Sequence, residues 1–201
     1  MSFINQPSIT SMTKARRAIS FMQTEPRLRR AYFDCRYGQL HMRYAIPAGG
    51  GFDEATTLLC LPGAPGSGRF FAPLLLPLGR DRSVYAPDLP GCGESDGGAE
   101  ALSSAETAEA LGDFLDSMHV RQVDLLAHEG GVQIAVALLQ QRPTQIARVV
   151  LSPDTDAVRS EARSLRHPSL VIDLRAADER AHGGSEFERQ AAQLREFLGL
   201  A

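Results

Sequence analysis

From Thr56 onward, short apolar runs alternate with stretches long enough to form a helix, and this alternation restricts the fold more than any other feature of the chain. The runs fall at 57–61, 83–87, 123–127, 149–151 and 170–172. Runs this short, bounded by turn residues, suit strands buried on both faces. Strands separated by helices pair in parallel, because each crossover carries the chain back to the same end of the sheet. The spacing predicts helices over 70–78, 104–117, 132–141, 155–165 and 186–198. Leu111, Phe114 and Leu115 share a face in the second of these, and Pro143 closes the third. In the last, Phe187, Ala191, Leu194, Phe197 and Leu198 fall on one side.

The N-terminal region follows a different pattern. Residues 8–23 have helical composition, stopped by Thr24-Glu25-Pro26, because proline disfavours helix in the residue before it. Residues 31–35 and 39–46 then flank Arg36-Tyr37-Gly38, with Leu40, Met42 and Tyr44 alternating against polar neighbours, which predicts a β-hairpin. Gly49-Gly50-Gly51 links it to the body. The organisation expected is an N-terminal helical arm over 1–30 and a single domain over 31–201, a length that can bury a sizeable core. No internal repeat is present.

A net charge of -3 gives no general attraction to nucleic acid or to an anionic membrane, so neither is expected as a partner. The arm departs from this balance: Lys14, Arg16, Arg17, Arg27, Arg29 and Arg30 face only Glu25, as a solvated basic surface or as a contact for an acidic partner. Cys35, Cys60 and Cys92 are an odd, widely spaced set, against both a disulfide framework and a zinc site. No apolar run is long enough to span a bilayer and the start lacks a secretory pattern, so the expected location is cytoplasmic.

Three blocks carry a resemblance to the α/β-hydrolase superfamily. Leu61-Pro62-Gly63-Ala64-Pro65-Gly66-Ser67-Gly68 follows a strand and resembles the family's His-Gly-x-Pro turn, with proline in place of histidine. Ala86 to Asp96, APDLPGCGESD, is similar to the D-x-x-G-x-G-x-S loop, a structural signature. Val123 to Gly131, VDLLAHEGG, matches the strand, sharp turn and helix of the nucleophile elbow, and Glu129 stands at its centre. The resemblance implies an α/β-hydrolase-like fold: a mostly parallel sheet with helices on both faces and an N-terminal β-hairpin. It also implies that the backbone N–H groups of Ala64, after Gly63, and Gly130 would form the oxyanion hole. About fifty residues follow Ser152, so the cap domain of most relatives and one late strand are expected to be missing.

The text match to G-x-S-x-G at Gly93-Glu94-Ser95-Asp96-Gly97 lacks the preceding strand and following helix that the motif needs, and Ser67 reads as a turn residue. Acyl transfer needs a hydroxyl activated by a histidine that an acid orients, and Glu129 supplies no hydroxyl. Some superfamily members attack halides or epoxides with aspartate at this site. Glutamate carries its carboxylate one methylene further, and a displacement of about 1 Å can cost roughly a hundredfold in rate. Asp154 and Asp178 each follow a strand end, where the family keeps its acid, and are otherwise loop carboxylates; His182 precedes the last helix, as the family's histidine does. His128 is expected to shape the turn. No ligand cluster has zinc or iron spacing, and neither metal nor cofactor is expected.

Two functions follow from these residues. The first is a pseudoenzyme, a non-hydrolytic binding or accessory protein whose partner is a small molecule or a protein, in a homo- or hetero-oligomer. The second is an enzyme using Glu129 as acid/base or nucleophile on a small carbonyl, ester, epoxide or halide substrate.

Overall fold

The computed structural model describes residues 25–50, 56–97, 100–174 and 184–199; the helix expected at 8–23, Lys14, Arg16, Arg17, Asp178 and His182 lie outside them. The described residues form one seven-stranded sheet from β1 (Arg27–Cys35), β2 (Gly38–Ile46), β3 (Thr57–Leu61), β4 (Val84–Pro87), β5 (Val123–His128), β6 (Ile146–Ser152) and β7 (Ser169–Val171). Their spatial order is β1-β2-β4-β3-β5-β6-β7. β1 and β2 pair antiparallel, β2 lies antiparallel to β4, and every later neighbour is parallel. The helices are α1 (Ala72–Leu78), α2 (Ser104–Ser117), α3 (Gly131–Gln141), α4 (Asp156–Ser164) and α5 (Gly184–Phe197), with a 3-10 turn at Gly68–Phe71 leading into α1. The connection from β6 to β7 holds α4 alone, a single short helix where a cap domain would be inserted. No helix among the described residues is long and apolar enough to cross a membrane.

Side chains alternate across the pleat, so each central strand feeds two cores. Leu59, Leu61, Val123, Leu125 and Ala127 pack on one face with Leu111 and Phe114 of α2 and Ile134 and Leu138 of α3. Leu58, Cys60, Leu126 and Val150 pack on the other with Leu74, Leu75 and Leu78 of α1 and Leu194 and Leu198 at the end of α5. α2 opens with a capping box in which Ser103 Oγ accepts from the Glu106 N–H and the Ser103 N–H donates back to the Glu106 carboxylate.

Two boundaries differ from those read in the sequence. β1 begins at Arg27, so Arg27, Arg29 and Arg30, expected in the arm, are strand residues. β1 is the outermost strand of the described sheet, and an edge strand tolerates arginines that a central strand could not bury. His41, on the side of β2 expected to be polar and open, is only 1% exposed, because the loop after β4 covers that face. The hairpin tip is held to α2 by Arg36, whose Nε donates to Asp113 at 2.9 Å and whose NH1 donates to Glu109 at 2.6 Å.

At the opposite end of the sheet from the strand C-termini, Arg82 NH1 donates to Asp124 Oδ2 at 2.6 Å and NH2 to the Leu198 carbonyl at 3.0 Å. Both side chains are buried, and Arg82 Nε and Asp124 Oδ1 find no hydrogen-bond partner. Burial pushes the Asp124 carboxyl up and the Arg82 guanidinium down, each against the pull of the other. Such a pair is held by mutual dependence, since removing one member strands the other charge. Asp124→Ala is expected to cost about 3–5 kcal/mol in urea denaturation, and adding Arg82→Met to it should recover most of that loss.

Candidate functional site

The site lies at the carboxyl ends of β3, β5 and β6, where an open parallel sheet leaves a crevice. β5 stops at His128, Glu129 takes φ 48°, and α3 starts two residues later. A left-handed φ is costly for a side chain larger than glycine, and the neighbouring structure has to hold it. The Glu129 N–H donates to the Ser152 carbonyl at the end of β6 at 2.7 Å, and the Glu129 carbonyl accepts from the Val132 N–H at 2.9 Å. Two glycines give the bend room. A Cβ on Gly63 would sit 2.6 Å from Glu129 Cβ, and one on Gly131 would run into the Leu61 carbonyl. The sharp strand-to-helix turn expected at Glu129 is therefore present, with glutamate at its apex.

Glu129, His128, Gly63, Ala64, Pro65, Ser67, Phe70 and Leu174 line a half-open cavity of about 440 Å³. The His128 ring stacks on Phe70 with centroids 4.1 Å apart. His128 Nδ1 stands 3.9 Å from Glu129 Oε2, beyond hydrogen-bond reach. Burial lowers the imidazole from its ordinary 6.5, opposed by Glu129, by the Leu174 backbone and, more weakly, by Asp154. Asp154 itself is exposed and does not line the cavity. Gly130 caps α3 with no side chain bonded there, and it lines a separate hollow of about 380 Å³ with Leu89, Cys92, Leu102 and Ile134. The structure thus brings together Gly63, Ala64, His128 and Glu129; it does not bring Asp154 to the cavity.

Of the serines near this end, buried Ser152 accepts from the Leu174 N–H at 2.9 Å, and Ser67 and Ser95 are committed elsewhere. Ser67 Oγ donates to Asp88 Oδ1 at 2.7 Å and caps the following turn by accepting from the Arg69 N–H. Ser95 Oγ donates to the Asp88 carbonyl at 2.6 Å and accepts from the His41 N–H at 2.8 Å. Asp88 also accepts from the Gly68 and Glu94 N–H groups, and its Oδ2 lies 2.8 Å from His41 Nδ1. The G-x-S-x-G match therefore belongs to a buried polar knot that fixes the loop after β4. Phe70, Pro65 and Leu174 were not legible as cavity residues in the sequence, because only the packing of the 3-10 turn and of the chain after β7 brings them there. Among the described residues no group of three His, Cys, Asp or Glu side chains could hold a metal ion.

Two outcomes are expected. Glu129→Gly removes the cost of a left-handed side chain and should raise unfolding stability by about 1 kcal/mol, measured by denaturant melts. Burial pushes the Asp88 carboxyl up, but the bonds from Glu94, Ser67, His41 and Gly68 outweigh it and hold it below its ordinary 3.8. A depressed carboxyl stabilises the fold above the unfolded value and loses that contribution as pH falls through the native one. Stability should therefore drop on acidification below 3.8, and Asp88→Asn should flatten that region of the pH profile.

Known proteins share this fold. Residues 58–200 match the alpha/beta hydrolase family. The chain is 31% identical over 114 residues to RutD of Yersinia enterocolitica, named as a putative carbamate hydrolase, across 56% of this chain and 41% of that protein. It is 28% identical over 155 residues to a proline iminopeptidase of Heyndrickxia coagulans, across 73% of this chain and 54% of that protein. The chain thus spans about half the length of the curated relatives it matches. Among solved structures, an alpha/beta hydrolase from Novosphingobium aromaticivorans superposes with a TM-score of 0.56 at 24% identity, over 62% of this chain and 43% of that one. The epoxide hydrolase CorEH gives 0.57 at 17% identity, over 63% and 43%. At these identities the structural likeness speaks for the fold.

Proposed function

Because this chain belongs to the alpha/beta hydrolase family and carries a glutamate where acyl transfer needs a hydroxyl, we propose that it is a non-hydrolytic binding or accessory protein built on a hydrolase fold. One observation carries the reading: the side chain at the strained apex is Glu129, and the one hydroxyl among the described cavity residues, Ser67, gives its proton to Asp88. Among the described residues no histidine is hydrogen-bonded to Ser67 Oγ, so its proton goes to a carboxylate and not to the base that acyl transfer needs. The cavity has the size of a small-molecule site, and Ala64 is part of its lining. A basic segment ahead of β1, carrying Lys14, Arg16 and Arg17, belongs to the same reading as the means of pairing with a protein partner. So does residence in the cytoplasm, where the free thiols Cys35, Cys60 and Cys92 would stay reduced.

A second reading keeps catalysis, with Glu129 as acid/base or covalent nucleophile on a small carbonyl, ester, epoxide or halide substrate. The retained φ of 48° favours it, because strain of this kind persists at sites that do chemistry. Asp178 and His182 would then be the supporting acid and base.

Fluorophosphonate labelling and a panel of p-nitrophenyl esters separate a serine hydrolase from both readings. The expected result is no labelling and no turnover above buffer; labelling at Ser67 or Ser95 would overturn the proposal. A mass-spectrometric ester adduct on Glu129, absent in Glu129→Gln, would establish the second reading in its place.

A further inference from the structure

Resting on the binding reading above, we propose that the Glu129 cavity takes a small organic cation, a primary or secondary ammonium group carried on an apolar body. Charge points to the first half of that ligand. Glu129 brings a carboxylate that is 43% exposed to the cavity mouth. The described lining contains no lysine or arginine. Among the described residues its one basic neighbour, His128, stands 3.9 Å away and makes no hydrogen bond to it. Burial keeps that imidazole below 6.5, so it is uncharged at neutral pH. The uncapped N-terminus of α3 adds a partial positive charge of about half a unit, which offsets only a fraction of a full carboxylate charge.

The rest of the cavity suits the remainder of such a ligand. Phe70, one face of whose ring is stacked on His128, adds apolar wall. Ala64, Pro65 and Leu174 supply apolar wall for a hydrocarbon body, within a volume of about 440 Å³. An anionic ligand would meet Glu129 as a like charge. A neutral ligand of the same shape would strip water from the carboxylate without replacing its hydrogen bonds, which costs free energy. An ammonium replaces that water with a charge-assisted bond.

Among the described residues the groups that face His128 are Glu129, the Leu174 backbone and, at longer range, Asp154, with Phe70 stacked on the ring. Protonating His128 would add a positive charge beside the bound cation. Affinity should accordingly weaken as pH falls through the lowered His128 value.

Calorimetric titration of the full chain with benzylamine, benzyl alcohol and benzoate tests this. Benzylamine should bind roughly tenfold more tightly than benzyl alcohol, with benzoate weakest, a difference equal to about one charge-assisted hydrogen bond. Glu129→Gln should abolish the preference for benzylamine over benzyl alcohol, with benzyl alcohol bound at least as tightly as before, which also shows that the variant is folded. Benzoate binding as tightly as benzylamine, no benzylamine binding at millimolar concentration, or an unaffected Glu129→Gln variant would each overturn the inference. Serine labelling by a fluorophosphonate would instead overturn the binding reading while leaving the charge preference standing. A reversed charge preference with no labelling would sink this inference alone.

Discussion

The bend at Glu129 exists because three backbone segments converge on it, and the hydrogen bond from its N–H to the Ser152 carbonyl is the contact that ties them together. That bond joins the end of β5 to the end of β6 and fixes where α3 begins. Its geometry is backbone geometry, so it is indifferent to the side chain at the apex. A glutamate can therefore stand where the family places a nucleophile without the sheet or the helix changing course. The glycines at 63 and 131 serve the same end, since any side chain there would collide with the bend or with the Leu61 carbonyl.

The polar knot around Asp88 has a corresponding role in the neighbouring strand's loop. Four donors or ring nitrogens converge on a single buried carboxylate: Ser67, Gly68, Glu94 and His41. A buried charge is tolerable when its oxygens are this fully paired. The knot positions the loop after β4 and the turn that begins at Ser67, and through that turn it places Phe70 against His128. The chemistry of the cavity wall thus depends in some measure on residues that never touch the cavity.

Much of the architecture was legible from patterning. β3 spans 57–61 and α2 spans 104–117, as the apolar runs and helical spacing indicated, because buried strands and amphipathic helices leave periodic signals. The bend at Glu129 was legible because glycine and alanine flank it in a strand-to-helix context. The start of β1 was not, since an exposed edge strand carrying Arg27, Arg29 and Arg30 has no apolar period to read. The burial of His41 was hidden for a related reason: alternation marks one buried face, and only the tertiary path of the loop at 88–96 buries the second. Asp178 and His182 remain expectations from resemblance, and Asp154 stands apart from the cavity.

The arginines of β1 have a consequence for how molecules of this protein meet one another. Among the described residues no strand pairs with the outer edge of β1, Arg27–Cys35, and an unpaired strand edge is a template on which another chain could polymerise. An approaching copy of the same rim would bring its own row of guanidinium groups against these. The desolvation and repulsion of those cations discourage ribbon-like stacking, so the charge on this strand acts as protection against fibre growth.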